Sequence, residues 1–264
     1  MRVIVTGGNS GVGKATAAAL AAHGHSVLIA CRDVDKGHRA AAEIAGDVEV
    51  AALDLADLAS VRAFADSVES IDVLVNNAGV MGMPLTRTAD GFESHIGINH
   101  LGHFALTSLL ADRITDRVIS VASATYLFAT LHLDDLNWQR RKYSKWSAYG
   151  ESKLANLLFV AELANRGVRA YATDPGSTDT DITRSLGMGE HQRIRRLMHT
   201  PAQGARATLQ AVTTDLPSGT YLAPRFNQLG RPRVTRLRRK AVDPATARRL
   251  WDASAELTGC DWPR

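Results

Sequence analysis

At 264 residues, with 45% apolar side chains, the chain can bury a sizeable core and reads as one ordinary globular domain. Its 31 Lys and Arg against 27 Asp and Glu leave a formal charge of +4, too slight an excess for a nucleic-acid partner. The two cysteines, Cys31 and Cys260, form no C-x-x-C pair, which argues against a disulfide framework and a zinc site and favours a reducing cytoplasm.

The chain opens on the strand-like run Arg2-Val3-Ile4-Val5-Thr6, and no apolar run reaches membrane-spanning length, so a soluble protein without a membrane partner is expected. Short β-branched runs then alternate with helical patterns. Strands are predicted near Val3–Thr6, Val27–Ala30, Val48–Leu53, Val73–Val75, Val118–Val121 and Val168–Ala172, with helices at Gly13–His23, Leu58–Val68 and Ala148–Asn165. This rhythm predicts an α/β fold with a doubly wound parallel sheet, Rossmann-like, in a single domain spanning residues 1–264.

After the first strand comes Thr6-Gly7-Gly8-Asn9-Ser10-Gly11-Val12-Gly13, opening a helix. Gly7, Gly11 and Gly13 allow a tight turn and close approach of main chain to a pyrophosphate, with Asn9, Ser10 and Val12 lining the same turn. Gly8 to Gly13-Lys14 nearly makes a P-loop, but Ala15 stands where the Mg²⁺-binding hydroxyl belongs. After the second strand, Arg32 occupies the place where many Rossmann proteins hold the ribose with an acid; a basic residue suits a 2′-phosphate, so NADP is expected, with NAD the alternative, and the neighbouring Asp33 pulls toward NAD.

Asn76-Asn77-Ala78-Gly79 follows the fourth strand, and Tyr149-Gly150-Glu151-Ser152-Lys153 lies in a later helix. With T-G-x-x-x-G-x-G, N-N-A-G and Y-x-x-x-K in this order, the chain resembles the short-chain dehydrogenase/reductase family over essentially its whole length. The stretches Ala30-Cys31-Arg32-Asp33, Ile98-Asn99-His100-Leu101-Gly102-His103, Ser152-Lys153-Leu154-Ala155-Asn156 and Ala247-Arg248-Arg249-Leu250-Trp251 are similar to the branch containing retinol dehydrogenases. The resemblance implies catalytic roles for Ser123 at the substrate oxygen, Tyr149 as proton donor, Lys153 beside it, and Asn99 in a proton relay. It further implies cofactor contacts from Asp54 and Leu55 at adenine, from Asn77, Ala78 and Gly79, and from Pro175, Gly176, Thr178 and Thr180 beside the nicotinamide carboxamide. A homodimer or homotetramer is implied in the same way.

Tyr149 and Lys153 stand four apart, on one helix face. An ammonium about 4 Å from a phenol, at a near-surface dielectric, supplies on the order of 4 kcal/mol, enough to lower the phenol by two to three units. The expected reaction is therefore reduction or oxidation at a carbon–oxygen bond, with a small-molecule carbonyl or alcohol as partner. Two other readings use the same fold: an NADP-binding sensor without turnover, and a nicotinamide-using epimerase or dehydratase. Presence of both Tyr149 and Lys153 disfavours the sensor, and the short C-terminal region disfavours the epimerase. His100 and His103 are three apart but have no third ligand at matching spacing, so no metal is expected. The basic stretch 231–240 reads as a solvated face.

Two segments break the βα rhythm, 124–147 and 176–200, both after strand carboxyl ends, where doubly wound sheets bind ligands. The first holds Tyr126, Leu127, Phe128, Leu131, Trp138, Tyr143 and Trp146. It is expected to wall a pocket for a bulky, largely apolar substrate.

Overall fold

The computed structural model describes residues 1–180, 198–226 and 228–262. One eight-stranded sheet runs through them in the order β3-β2-β1-β4-β5-β6-β7-β8. Its strands are β1 (Arg2–Thr6), β2 (Ser26–Cys31), β3 (Val48–Ala52), β4 (Ile71–Asn76), β5 (Ile114–Val121), β6 (Ala170–Thr173), β7 (Tyr221–Arg225) and β8 (Leu229–Val234). All neighbours are parallel except β7 and β8. This is the doubly wound arrangement expected from the sequence, with strand order reversing between β1 and β4.

The strands are apolar without alternation because helices cover both faces. Val3 and Val5 pack with Leu20 of α1 (Gly11–Ala22) and Ala211 of α7 (Pro201–Thr213) on one face. Ile4, turned the other way by the two-residue period, packs with Phe64 of α3 (Leu58–Ser67) and Leu106 of α5 (Gly102–Leu109). A third cluster joins α6 (Lys145–Asn165) to α8 (Pro244–Thr258), where the stacked rings of Phe159 and Trp251 lie 5.7 Å apart.

The six strands predicted from sequence are all present, and α6 begins three residues before the expected helix. Sequence reading missed β7 and β8. Within 231–240, Arg231, Pro232 and Arg233 belong to β8, an exposed edge strand; cations and a proline on an edge oppose pairing with a further strand. Most of the segment 176–200, namely 181–197, lies outside the described residues. No helix among the described residues is long and apolar enough to cross a membrane.

Candidate active site

The carboxyl ends of β1, β2, β4, β5 and β6 open onto a cleft of 610 Å³. Its first wall is the turn after β1. Gly7 sits at φ +65°, a left-handed conformation costly for other residues, and a Cβ on Gly13 would strike the Gly7 carbonyl oxygen. The turn is tied to the N-N-A-G segment by Thr6: its hydroxyl accepts the Asn77 and Ala78 N–H groups, both at 2.9 Å, and its carbonyl accepts the Asn77 side-chain amide at 2.7 Å. Thr6 is thus a hinge pin between β1 and β4, a role its place in the motif does not reveal.

The first turn of α1 faces this cleft, and its N-cap Ser10 makes no side-chain cap hydrogen bond among the described residues. By contrast α2 (Val34–Ala42) and α3 are capped by Asp33 and Asp57. The α1 N–H groups and dipole are therefore available to an anion. Together with the glycine cradle, this fits the pyrophosphate of a dinucleotide.

At the end of β2, the Asp33 carboxylate accepts the Lys36 N–H at 2.8 Å as the α2 cap, while Arg32 and Lys36 both line the cleft. The acid that complicates the sequence reading is engaged by its own helix, and Lys36 is a second cation the sequence analysis did not single out. Asp54 lines the cleft beside Leu55, its carboxylate accepting the Ala56 N–H at 2.9 Å.

The opposite wall carries the chemistry. Ser123 follows β5, where its hydroxyl accepts the Thr125 N–H, and it lines the cleft together with Tyr149. Lys153 Nζ donates to the Val121 carbonyl at 2.9 Å, an acceptor it shares with Asn156. It lies 5.8 Å from the centre of the Tyr149 ring. Asp174, after β6, accepts the Tyr221 hydroxyl and the Gly176 N–H, and the Thr178 hydroxyl donates to Pro175. Pro175, Gly176, Thr178 and Thr180 all reach the cleft, as do Gly11, Asn9, Val12, Ala78 and Gly79.

One expectation is corrected here. Lys153 does not depress Tyr149 in this structure: burial pushes the phenol up to about 12, the Ser123 hydrogen bond pulls it down, and the Asp174 carboxylate adds to the rise. Burial lowers Lys153 itself to about 8, with Asp174 opposing. Desolvation acts on both groups at once, a cost the pairwise Coulomb argument left out. Asn99, expected in a proton relay, stands behind the cleft wall rather than in it. Its side chain accepts the Val80 N–H at 2.8 Å and donates to the Val80 carbonyl and to Ser152, and its own carbonyl bonds the His103 ring. It sits in a π-helical turn, Gly97–Leu101, a geometry frequent at functional sites. His100 and His103 are buried and face different partners, Ser254 for the first, Thr6 and Asn99 for the second.

The aromatic segment also departs from expectation. Of 124–147, Ala124 and Thr125 line the cleft. Tyr126 is in the core against Tyr221, Trp138 is buried against Tyr143, and Phe128 is 92% exposed. None of the segment's aromatic rings lines the cleft, so the aromatic excess does not wall the pocket expected of it.

A doubly wound sheet whose switch-point cleft joins an open glycine cradle to a serine, a tyrosine and a lysine defines a dinucleotide-dependent enzyme. The chain belongs to the short-chain dehydrogenase family, whose model matches residues 1–133. It is 43% identical to retinol dehydrogenase 12 of Mus musculus, across 98% of this chain and 87% of that protein. Among solved structures, it is similar to an uncharacterised protein of Mycobacterium paratuberculosis, with TM-score 0.89 and 46% identity over 100% of this chain and 95% of that one. A Burkholderia cenocepacia short-chain dehydrogenase in complex with NADP shares 26% identity at TM-score 0.65, covering 83% of this chain and 94% of that one.

Proposed function

We propose that this oxidoreductase interconverts a bulky, largely apolar carbonyl compound and its alcohol with NADP(H), with cofactor and chemistry carried by one domain. The observation that carries the reading is the convergence of Ser123, Tyr149 and Lys153 on the cleft that the glycine turn also lines. The nicotinamide cofactor, when bound, supplies or takes up the hydride at the carbonyl carbon. The protein's part is the proton and the oxygen. With its phenol raised to about 12, Tyr149 is protonated at neutral pH, the state required to donate to the carbonyl oxygen in reduction. The Ser123 hydroxyl donates to the same oxygen and stabilises its developing charge. Lys153, held by the Val121 carbonyl, lines the cleft beside the phenol.

NADP over NAD rests on Arg32 and Lys36 at the cleft, where Asp33 also stands with one carboxylate oxygen in the α2 cap. The apolar substrate class rests on Val80, Met81 and Ile98 along the cleft and on relatives named retinol dehydrogenases. A homo-oligomer in the cytoplasm belongs to the same proposal; solution mass and cell fractionation test it. The direct experiment is a panel of small and bulky ketones and aldehydes assayed with NADPH and NADH, in wild type and Arg32→Ala. The reading predicts turnover favouring bulky compounds, and Arg32→Ala weakening NADPH far more than NADH. Binding of NADPH with no turnover across the panel, or a native preference for NADH, contradicts it.

A further inference from the structure

A polar cluster of buried Glu93 and His95 with half-buried Tyr143 stands beside Tyr149, and none of its members lines the cleft. Glu93, at the start of α4 (Ser94–Ile96), is fully buried and takes three donors: the Ile96 N–H at 3.0 Å, the His95 ring at 2.7 Å and the Tyr143 hydroxyl at 2.9 Å. Burial pushes its carboxyl up, but the hydrogen bonds from His95 and Ile96 outweigh it and hold the group below the ordinary carboxylate range. A buried, ionised carboxylate with this donor set is a rigid anchor.

His95 is fixed at both ring nitrogens. The Met83 main-chain N–H donates to Nε2 at 3.3 Å, so Nε2 is the acceptor and Nδ1 carries the proton toward Glu93. Thus locked, the ring meets Tyr149 edge to face, centroids 6.1 Å apart at 66°. The Tyr143 hydroxyl, whose single proton goes to Glu93, lies 3.1 Å from the Met83 carbonyl, so the Met83 N–H is the main-chain group the cluster holds. Asn99 holds both main-chain groups of Val80, accepting the N–H and donating to the carbonyl. Between these two pins lies Met81, on the cleft wall.

Tyr143 is in turn fixed by the aromatic segment. Its ring meets Trp138 at 5.4 Å, and the Arg141 guanidinium lies 3.8 Å from the Trp138 ring centre. Arg141 then bonds Glu151, two residues beyond Tyr149, through both carboxylate oxygens, and Asp135 as well. Trp138 holds φ +51°, a strained value for a bulky side chain that persists only where packing over-determines it. The segment is therefore a strap joined to the proton donor's helix at Glu151 and to the Met83 loop at Tyr143.

We propose that Glu93, His95 and Tyr143 are positioning residues, which hold the Tyr149 ring and the Met81 wall in reacting geometry without touching substrate or cofactor. The proposal rests on the reading of Tyr149 as proton donor and extends it to residues 50 positions apart in the chain, Glu93 and Tyr143. Two variants separate geometry from folding. Tyr143→Phe removes one hydroxyl and keeps the ring against Trp138. His95→Gln retains a donor for Glu93 and an acceptor for Met83 but removes the ring that abuts Tyr149.

At saturating NADPH, Tyr143→Phe should lower kcat about 10-fold and His95→Gln on the order of 10²-fold, because small displacements of a reacting group are costly. NADPH affinity should be unchanged, since the glycine cradle is remote from the cluster, and KM for a bulky ketone should rise as the Met81 wall loosens. A folded Tyr143→Phe with kcat and KM within about twofold of wild type overturns the proposal, whatever its melting temperature. A parallel loss of NADPH affinity also overturns it, because that pattern marks general loosening of the fold. Tyr149→Phe, measured alongside, distinguishes the two readings. Full turnover there removes the proton-donor assignment and this proposal with it; loss there beside unimpaired Tyr143→Phe removes only the positioning role.

Discussion

At the glycine turn the cleft wall is main chain: the α1 amides, the Gly7 carbonyl beside Gly13, and the Thr6 hydroxyl that stitches β1 to β4. Around Tyr149 it is side chain: Ser123 on the cleft, His95 beside the ring, and a strap running from Tyr143 through Trp138 and Arg141 to Glu151. A main-chain site requires that side chains be absent at fixed spacing, and glycine spacing is local in sequence. A side-chain site requires contacts between residues far apart, each of a type common elsewhere. The first half of the cleft therefore depends on its glycines and on the Thr6 hydroxyl that pins them, whereas the second depends on packing throughout.

Four measurements can break or sharpen that contrast. The largest effect is expected at Tyr126, placed in the core against Tyr221: Tyr126→Ala should cost about 3–5 kcal/mol in denaturant unfolding. Retained stability with a lost preference for bulky ketones would instead return Tyr126 to the pocket wall expected from sequence.

Acidification comes next. Burial depresses His100 to about 3 and His103 to about 4. Unfolded histidines take up protons as pH falls through about 6.5, while these remain neutral in the fold, so stability is full above that value and declines toward pH 4. A decline of about 3 kcal/mol or more is expected across the window. Unfolding free energies that stay flat from pH 6.5 to about 4.5 would contradict neutral burial of both rings.

At the main-chain half, Gly13→Ala should leave the protein folded but weaken NADPH by roughly 10- to 10²-fold, because its Cβ meets the Gly7 carbonyl and the turn must move. Unchanged affinity, measured by cofactor fluorescence, would mean the turn is not the pyrophosphate cradle. The smallest effect is expected at Phe128, whose ring is exposed: Phe128→Ala should alter stability by no more than about 0.5 kcal/mol. Loss of turnover with bulky ketones in that variant would show the ring closing over substrate.

The same contrast explains how much the sequence disclosed. The strands up to β6, the glycine turn and the Tyr149–Lys153 face were legible, because each follows from a local period: two for strands, 3.6 for helices, fixed offsets for turns. β8 was hidden by Arg231, Pro232 and Arg233, which suit an edge that repels partners and so resemble a loop. The contact of Asn99 with the Val80 main chain depends on a π-turn that no spacing marks. Glu93, His95 and Tyr143 looked ordinary in isolation; only the fold brings them into one hydrogen-bonded cluster. Desolvation of Tyr149 was invisible too, since it depends on everything packed around the phenol rather than on its partner four residues away.

The central claim, that Tyr149 delivers the proton, is tested most directly by Tyr149→Phe, with NADPH affinity and single-turnover reduction of a bulky ketone measured on one preparation. The account predicts cofactor affinity close to wild type and a hydride-transfer rate lower by roughly 10²-fold or more, because the ring still packs against His95 while the proton donor is gone. Near-normal reduction in that variant would contradict it.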